Sequence, residues 1–209
     1  MAEIVNIDFS TEDLSQFDDV VVGGTNTLAY NATAGHDGGP GMLLTINSTD
    51  VTYGEKGFTQ HAAGTPFGVA SYVNHSNLTI STHTQVVWTI TWRAGTTLRG
   101  LHRILNWNGT LEYAIMHRND SATDNHSAGY AVAGQTWNYV RVTPSSNDST
   151  ADGHAKLFLH GVERATTSNI ITYNNLNLSN IRVGGVIINS SASGTIGFGP
   201  IIARDDLTE

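Results

Sequence analysis

Six glutamates pose the first chemical question: Glu3, Glu12, Glu55, Glu112, Glu163 and Glu209. A retaining glycosidase needs two carboxylates about 5 Å apart. On a strand, that requires acids at i and i+2 or i+4, because alternate residues face the same way. None of the six has an Asp two residues on or a second Glu four residues on, and Glu112, alone within an apolar stretch, has no acidic neighbour there. Asp120/Asp124 and Asp148/Asp152 have the i,i+4 spacing, but both pairs fall in polar, turn-rich stretches. Nine histidines are scattered without a His-Glu-x-x-His pair, and no Gly-x-Ser-x-Gly elbow occurs. His154 and His160 can share a strand face, yet at roughly 3.3 Å per residue they lie about 20 Å apart and cannot chelate one ion. With no cysteine in the chain, thiol nucleophiles and thiolate metal sites are excluded. No catalytic set and no metal set are therefore expected. The residue types that remain suit sugar binding, with an aromatic ring to stack and amides or carboxylates to meet hydroxyls. Trp107, Asn108 and Tyr113 flank one predicted hairpin, with Asn119 and Asp120 beyond it, and Tyr72 with Asn74 is a second set. The alternative for Trp107 is cross-strand packing within its own hairpin.

The elements that would position these residues are short and two-periodic. Val86-Val87-Trp88-Thr89-Ile90-Thr91-Trp92 is β-branched and aromatic, and puts Trp88, Ile90 and Trp92 on one face. The same pattern predicts strands at 4–9, 42–46, 67–73, 78–81, 103–107, 111–117, 137–143, 155–160, 181–188 and 195–204. Asn108-Gly109 between Trp107 and Leu111 signals a type I′ hairpin, because both residues tolerate positive φ. Asp152-Gly153 and His160-Gly161 punctuate a second hairpin region. Ser10 or Thr11 ahead of acidic residues has the look of a capping box, so one helical turn is expected over 11–17. The segments 119–127 and 145–152 read as surface loops. No linker, tandem repeat or charge block divides the chain, which reads as one domain over 1–209. The terminal strands, 4–9 and 201–204, are candidates to pair with each other.

Several of these stretches resemble a known family. Ile7-Asp8-Phe9-Ser10, Leu14-Ser15-Gln16-Phe17 and Gly38-Gly39-Pro40-Gly41-Met42-Leu43-Leu44 resemble the opening of concanavalin A-like lectin/glucanase jelly rolls. Trp137-Asn138-Tyr139-Val140-Arg141-Val142, then Asp152-Gly153 and the run Ala155–Gly161, is similar to the laminin-G-like signature, with His160 where the family commonly has Asp. Ile181-Arg182-Val183-Gly184-Gly185 and Gly194–Asp205 resemble the closing strands. The resemblance implies an all-β antiparallel sandwich, a jelly roll of concanavalin A-like type. In it, Trp137, Val140 and Val142 would plug the core, and Gly161 and Gly184 would permit turns. It also raises calcium, which such domains often hold in rim loops. The stretch Asn119-Asp120-Ser121-Ala122-Thr123-Asp124-Asn125 has hard oxygen ligands, but no diagnostic spacing, so no cofactor is expected.

Composition narrows the partners. Lys plus Arg is 10 against 18 for Asp plus Glu, a formal charge of -8, so nucleic acid is not an expected partner. Charged residues are 13% of the chain, where soluble domains average roughly 25%. Polarity comes instead from 18 Asn, 16 Ser and 26 Thr. No stretch approaches the roughly 20 apolar residues of a membrane span, and the N-terminus shows no basic region followed by an apolar run. Asn-x-Ser/Thr occurs ten times, well above chance for this composition, which fits either surface glycosylation or turn-rich strand ends. The expectation is a non-catalytic virion structural or attachment protein, such as a phage capsid decoration, fibre or tail-associated module. It would be extracellular or on the virion surface, bind capsid or tail proteins or surface glycans, and form a homo-oligomer or part of a larger assembly. A carbohydrate-binding module of a secreted or cell-surface protein is the alternative, and a glycoside hydrolase with an unrecognised site is a further one.

Overall fold

Where β-branched and aromatic residues alternate with polar ones, the chain forms strands, and their apolar sides meet between two layers. The computed structural model describes residues 3–61, 67–118, 124–132, 134–143, 153–170 and 177–205. In chain order the strands are β1 (Glu3–Ile7), β2 (Asp19–Val22), β3 (Thr27–Asn31), β4 (Gly41–Ile46), β5 (Thr52–His61), β6 (Phe67–Ile80), β7 (Val86–Ala94) and β8 (Thr97–Trp107). There follow β9 (Thr110–Arg118), β10 (Asp124–His126), β11 (Tyr130–Ala131), β12 (Gln135–Thr143), β13 (Gly153–Leu159), β14 (Val162–Ile170), β15 (Leu178–Ile188) and β16 (Ala192–Arg204). The first sheet runs β14-β13-β12-β6-β16-β4-β3 with β1 added on β16, and the second runs β10-β9-β8-β7-β15-β5-β2 with β11 added on β9. The protein is an all-β antiparallel sandwich of jelly-roll type.

The terminal strands pair as their sequences suggest, with Val5 opposite Ala203 and Ile7 opposite Ile201. The β8–β9 hairpin turns at Asn108 (φ 51°) and Gly109 (φ 87°), and β13–β14 turns at His160 (φ 51°) and Gly161 (φ 76°). Other expectations need correction. Residues 11–17 form reverse turns, with the Glu12 and Phe17 amides donating to Phe9 and Leu14 carbonyls, and the short 3-10 turn lies at His36–Gly38. The segments 67–73 and 78–81 belong to one continuous strand, β6. Gly184 does not make a turn. It sits inside β15 at φ 138°, where a Cβ would approach the Thr52 carbonyl oxygen to 2.5 Å. The side chains of Trp137, Val140 and Val142 lie outside the described residues.

Trp88 does not share a face with Ile90 and Trp92. Trp88 pairs with Arg103 and Ile90 with His102, so Thr89 is an extra residue in β7. Such a bulge shifts the alternation by one position. Ile90 and Trp92 point into the main core, while Trp88 packs on the outer side against Leu98, Leu101 and Met116. Trp92 is fully buried opposite Gly100, where a Cβ would lie 2.1 Å from the indole ring. The indole therefore occupies the space that a side chain at position 100 would need. Gly100→Ala should destabilise the protein by about 1–3 kcal/mol through overpacking, measured by urea unfolding; an unchanged midpoint would mean that the ring can move aside.

The core also holds polar groups. Tyr113 and His102 are fully buried, His75 nearly so, and Tyr113 Oη lies 2.9 Å from His75 Nδ1 across the two sheets. The His102 and Tyr113 rings meet edge to face at 4.6 Å, and Thr89 Oγ1 lies 2.7 Å from His102 Nδ1. Burial lowers the pKa of His75 to about 4, and of His102 and His117 to about 3, with small added effects of His75 on His102 and Arg99 on His117. All three are neutral when folded near pH 7. The unfolded chain binds their protons at about 6.5. Stability should thus be full above pH 6.5 and fall as pH drops below it, by about 1.4 kcal/mol per pH unit for each histidine. Denaturant midpoints at pH 8, 6 and 5 test this, and equal midpoints at 8 and 5 would contradict it.

Candidate functional site

The same alternation that sends His102, Ile104, Tyr113 and Ile115 inward sends Arg103, Leu105, Trp107 and Glu112 to the outer face of the second sheet. There they line an open pocket of about 380 Å³, closed on one side by residues 127–129. Ser127 pins that wall to β9, since its amide donates to the Ile115 carbonyl (3.0 Å) and its hydroxyl accepts from the Ile115 amide (3.0 Å). Gly129 lies flat on the Glu112 carboxylate, because a Cβ there would be 1.9 Å from Oε2. The volume falls within the roughly 300–1,000 Å³ usual for small-ligand sites.

Trp107 stands at the rim, 49% exposed. Its ring meets His83 at 4.6 Å between centroids. The Asn108 backbone amide donates to His83 Nδ1 (3.0 Å), which holds the imidazole beside the indole. Asn106 anchors the hairpin from below: its Oδ1 accepts from the Gly109 amide (2.9 Å), and its Nδ2 donates to the Ile80 carbonyl. The turn that carries His83 includes Thr84 at φ 67°, a strained conformation for a β-branched residue. Its amide bond to the Asn106 carbonyl (2.9 Å) holds it there.

Four arginines share this sheet face. Arg182 pairs with Glu55 and lies over the Tyr53 ring at 4.5 Å. Arg118 pairs with Asp124 through two bonds of 2.6 and 3.0 Å. Arg93 donates to the Thr96 carbonyl, and burial followed by the nearby Arg182 lowers its pKa. Arg103, like Arg93, is half-buried, with its pKa lowered by burial and a buried Nε that has no hydrogen-bond partner among the described residues. It differs from Arg93 in that no hydrogen bond engages the rest of its guanidinium there either. No ion pair is found for it there either. His126, on β10 opposite Met116, is held below its ordinary pKa by burial and then by Arg103, with Asp124 opposing.

The structure thus brings together Trp107 and Asn108 from the predicted sugar set and removes Tyr113 from it. Tyr113 is fully buried with its hydroxyl on His75, because the strand register turns it into the core. Tyr72 is also buried, with His36 against its ring at 5.0 Å. Asn119 and Asp120 lie outside the described residues, as does most of the oxygen-rich stretch of which they are part. Asp124, near its end, lies on β10 and is paired with Arg118 of β9. Arg103 and His126 were not singled out by sequence, although an arginine inside an apolar strand of a chain with few cations is a readable signal.

No family model matches the chain, and no curated protein is similar to it in sequence. Solved structures do share its fold. An endo-β-1,4-glucuronan lyase from the fungus Trichoderma reesei is similar with a TM-score of 0.65 at 12% identity, over 98% of this chain and 96% of that one. A carbohydrate esterase from Shiga toxin-encoding bacteriophage phi24B is similar with a TM-score of 0.63 at 12% identity, over 98% and 99%. The binding domain of botulinum neurotoxin serotype G has a TM-score of 0.62 at 9% identity, over all of this chain and 49% of that one. At such identities the likeness establishes the fold alone.

The expectation of a non-catalytic chain is nonetheless overturned. It rested on the missing carboxylate pair, zinc motif, nucleophile elbow and cysteine, whose absence excludes only the chemistries that need them. Two of these similar structures are enzymes of other kinds, a lyase and an esterase, matching almost the full chain.

Trp107→Ala should keep stability within about 0.5 kcal/mol, as an exposed change does, and weaken binding of any glycan that uses the pocket. Thermal melting together with affinity electrophoresis in a polysaccharide gel reads both quantities. Unaltered migration in every retarding gel would mean that the indole is not a contact.

Proposed function

We propose that the protein is a glycan-active enzyme that takes an acidic polysaccharide across the outer face of the second sheet and cleaves it by β-elimination. One observation carries this reading: the half-buried Arg103 guanidinium, without an acceptor among the described residues, in an open pocket beside an exposed indole. Buried cations are normally paired, and an orphan in a pocket is suited to a ligand's anion. A uronate carboxylate fits the planar fork of a guanidinium. A sugar face fits Trp107, which is why Trp107 and Asn108 are kept as binding residues.

Elimination needs no pair of carboxylates. A base removes the proton from the carbon next to the uronate carboxylate, and that electron pair forms a C=C bond as the neighbouring glycosidic C–O bond breaks. The leaving oxygen then takes a proton. Arg103 would neutralise the carboxylate and so stabilise the charge that develops. His126, neutral at pH 7 because burial and Arg103 lower its pKa, is the candidate base, and the imidazolium it becomes is the proton donor to the leaving oxygen. The similarity to a glucuronan lyase supports this chemistry on this fold.

We further place the sandwich in the concanavalin A-like group, as one domain. Its setting is extracellular or on a virus particle, where the chain would meet surface glycans. The low charge and absent cysteine favour that setting, as does the likeness to a bacteriophage carbohydrate esterase.

Polyglucuronate and polygalacturonate should yield products with the ultraviolet absorbance of a C=C conjugated to a carboxylate, and neutral glucans should not. Arg103→Met should lower kcat/KM at least about 100-fold while leaving Tm unchanged or higher, since it removes an unpaired buried cation. In the same variant the His126 pKa should rise, read by NMR titration. Reducing ends without new absorbance would show hydrolysis in place of elimination, and polyuronates left intact under all conditions would end this reading.

A further inference from the structure

The first sheet has a depression of its own. It has a volume of about 180 Å³ on the outer side of β3, β4, β16 and β6, where Asn31, Thr33, Asn74, Asn77, Thr195 and Gly197 converge. We propose that this depression is a second binding site, which holds one residue of a neutral sugar chain through side-chain amides.

Facing positions on three neighbouring strands, β4, β16 and β6, make its floor. Gly197 lies opposite Leu43 on one side and Asn74 on the other, and Thr195 lies opposite Asn77. Ile196 and Phe198 point into the core, so Thr195 and Gly197 face outward. Gly197 has no side chain, and a Cβ there would be 2.6 Å from the Ala34 carbonyl oxygen, so the segment after β3 closes tightly over this floor.

The amide orientations follow from their own hydrogen bonds. Asn31 Oδ1 accepts from the Thr33 amide (2.9 Å) and hydroxyl (3.0 Å). Asn74 Oδ1 accepts from the Ser76 amide (3.1 Å) and hydroxyl (2.7 Å). A backbone N–H can only donate, so in both residues the oxygen is fixed and Nδ2 is the end left to the pocket. Among the described residues no hydrogen bond engages either Nδ2, and none engages the side chains of Asn77 or Thr195.

The ligand class follows from this inventory. The two oriented amides offer donors only, whereas Asn77 and Thr195 can donate and accept. A metal cation is disfavoured, because the Asn31 and Asn74 oxygens are already used by their own turns. An anion is disfavoured, because the lining holds no cation and the chain carries a net charge of -8. Sugar hydroxyls, which both donate and accept, match the set. This site is uncharged and on the opposite sheet from Arg103, so it does not depend on the reading of the first pocket.

The test is a 1H–15N NMR titration of the full chain, made in bacteria so that no asparagine is glycosylated. The probes are neutral trisaccharides of glucose, xylose, mannose and galactose, with sodium sulfate and glucuronate as anionic controls. The expected result is a saturable shift of the Asn31, Asn74 and Asn77 side-chain NH2 signals with at least one neutral trisaccharide. Asn77→Ala with Thr195→Val should weaken it at least tenfold with Tm unchanged, and Trp107→Ala should leave it intact. Should the double variant fail to fold, Asn77→Ala alone carries the comparison. Shifts with the anions only, shifts undiminished in the variant, or no shift with any neutral probe would each overturn the proposal. A silent first sheet with polyuronate cleavage intact would sink this site and spare the other.

Discussion

The two-residue alternation along β8 and β9 is the constraint on which the site depends. Every second side chain of these strands is locked in the core: His102 against Thr89 and the Tyr113 ring, and Tyr113 on His75 of the opposite sheet. The residues between them, Arg103, Leu105 and Glu112, have no choice but to face outward. A slip of one residue would exchange the two sets, burying a guanidinium and a carboxylate in an apolar layer. The hydrogen bond between Tyr113 and His75 also fixes how the two sheets sit on each other, because it is directional where apolar packing is not. The core polar groups thus specify the register that presents the pocket. Their cost is that the imidazoles must stay neutral.

The pocket side of the second sheet carries both strain and unsatisfied polarity. Thr84 has a positive φ, His83 props the exposed Trp107, and Arg103 lacks an acceptor among the described residues. The first and the last of these lower the stability of the ligand-free protein. The rest of the hairpin compensates: Asn106, buried, bonds Gly109 and Ile80 through its side chain and Gln85 and Thr84 through its backbone. A buried cation left unpaired is the arrangement in which an incoming anion gains most, since no internal bond has to be broken first.

The strands were legible where the residues were β-branched and strictly alternating, and the two hairpins were legible from Asn108-Gly109 and His160-Gly161. The pairing of the termini also followed from their sequences. β2, β3, β5 and β14 are among the strands the pattern does not mark: β5 mixes Gly, Glu and Lys with its aromatics, and β2 is an edge strand with exposed Val20 and Val22. Trp88 was misplaced because a bulge at Thr89 leaves no mark in a two-periodic pattern. Tyr113 was misplaced for a related reason. An aromatic two or three residues past a turn can face either way, and only the pairing with Ile104 decides. The pocket itself joins β8, β9 and the 127–129 wall, and the amide cluster joins residues as far apart as Asn31 and Thr195. No local sequence signal reports such neighbours.

An acidic polymer meeting a chain of net charge -8 looks at first like a repulsive pair. The magnitudes decide otherwise. At physiological salt the Debye length is about 8 Å, so carboxylates on remote parts of the surface are screened from the pocket. Of the other arginines on the same face, Arg118 and Arg182 already have carboxylates of their own. Their charges are largely balanced locally, whereas Arg93, bonded to the neutral Thr96 carbonyl, and Arg103 have no carboxylate partner among the described residues, and of these two Arg103 lines the pocket. Attraction is therefore confined to a single carboxylate's width, and long-range steering is weak. Such a surface discriminates by where a carboxylate sits along the sugar chain, more than by how many carboxylates the chain carries.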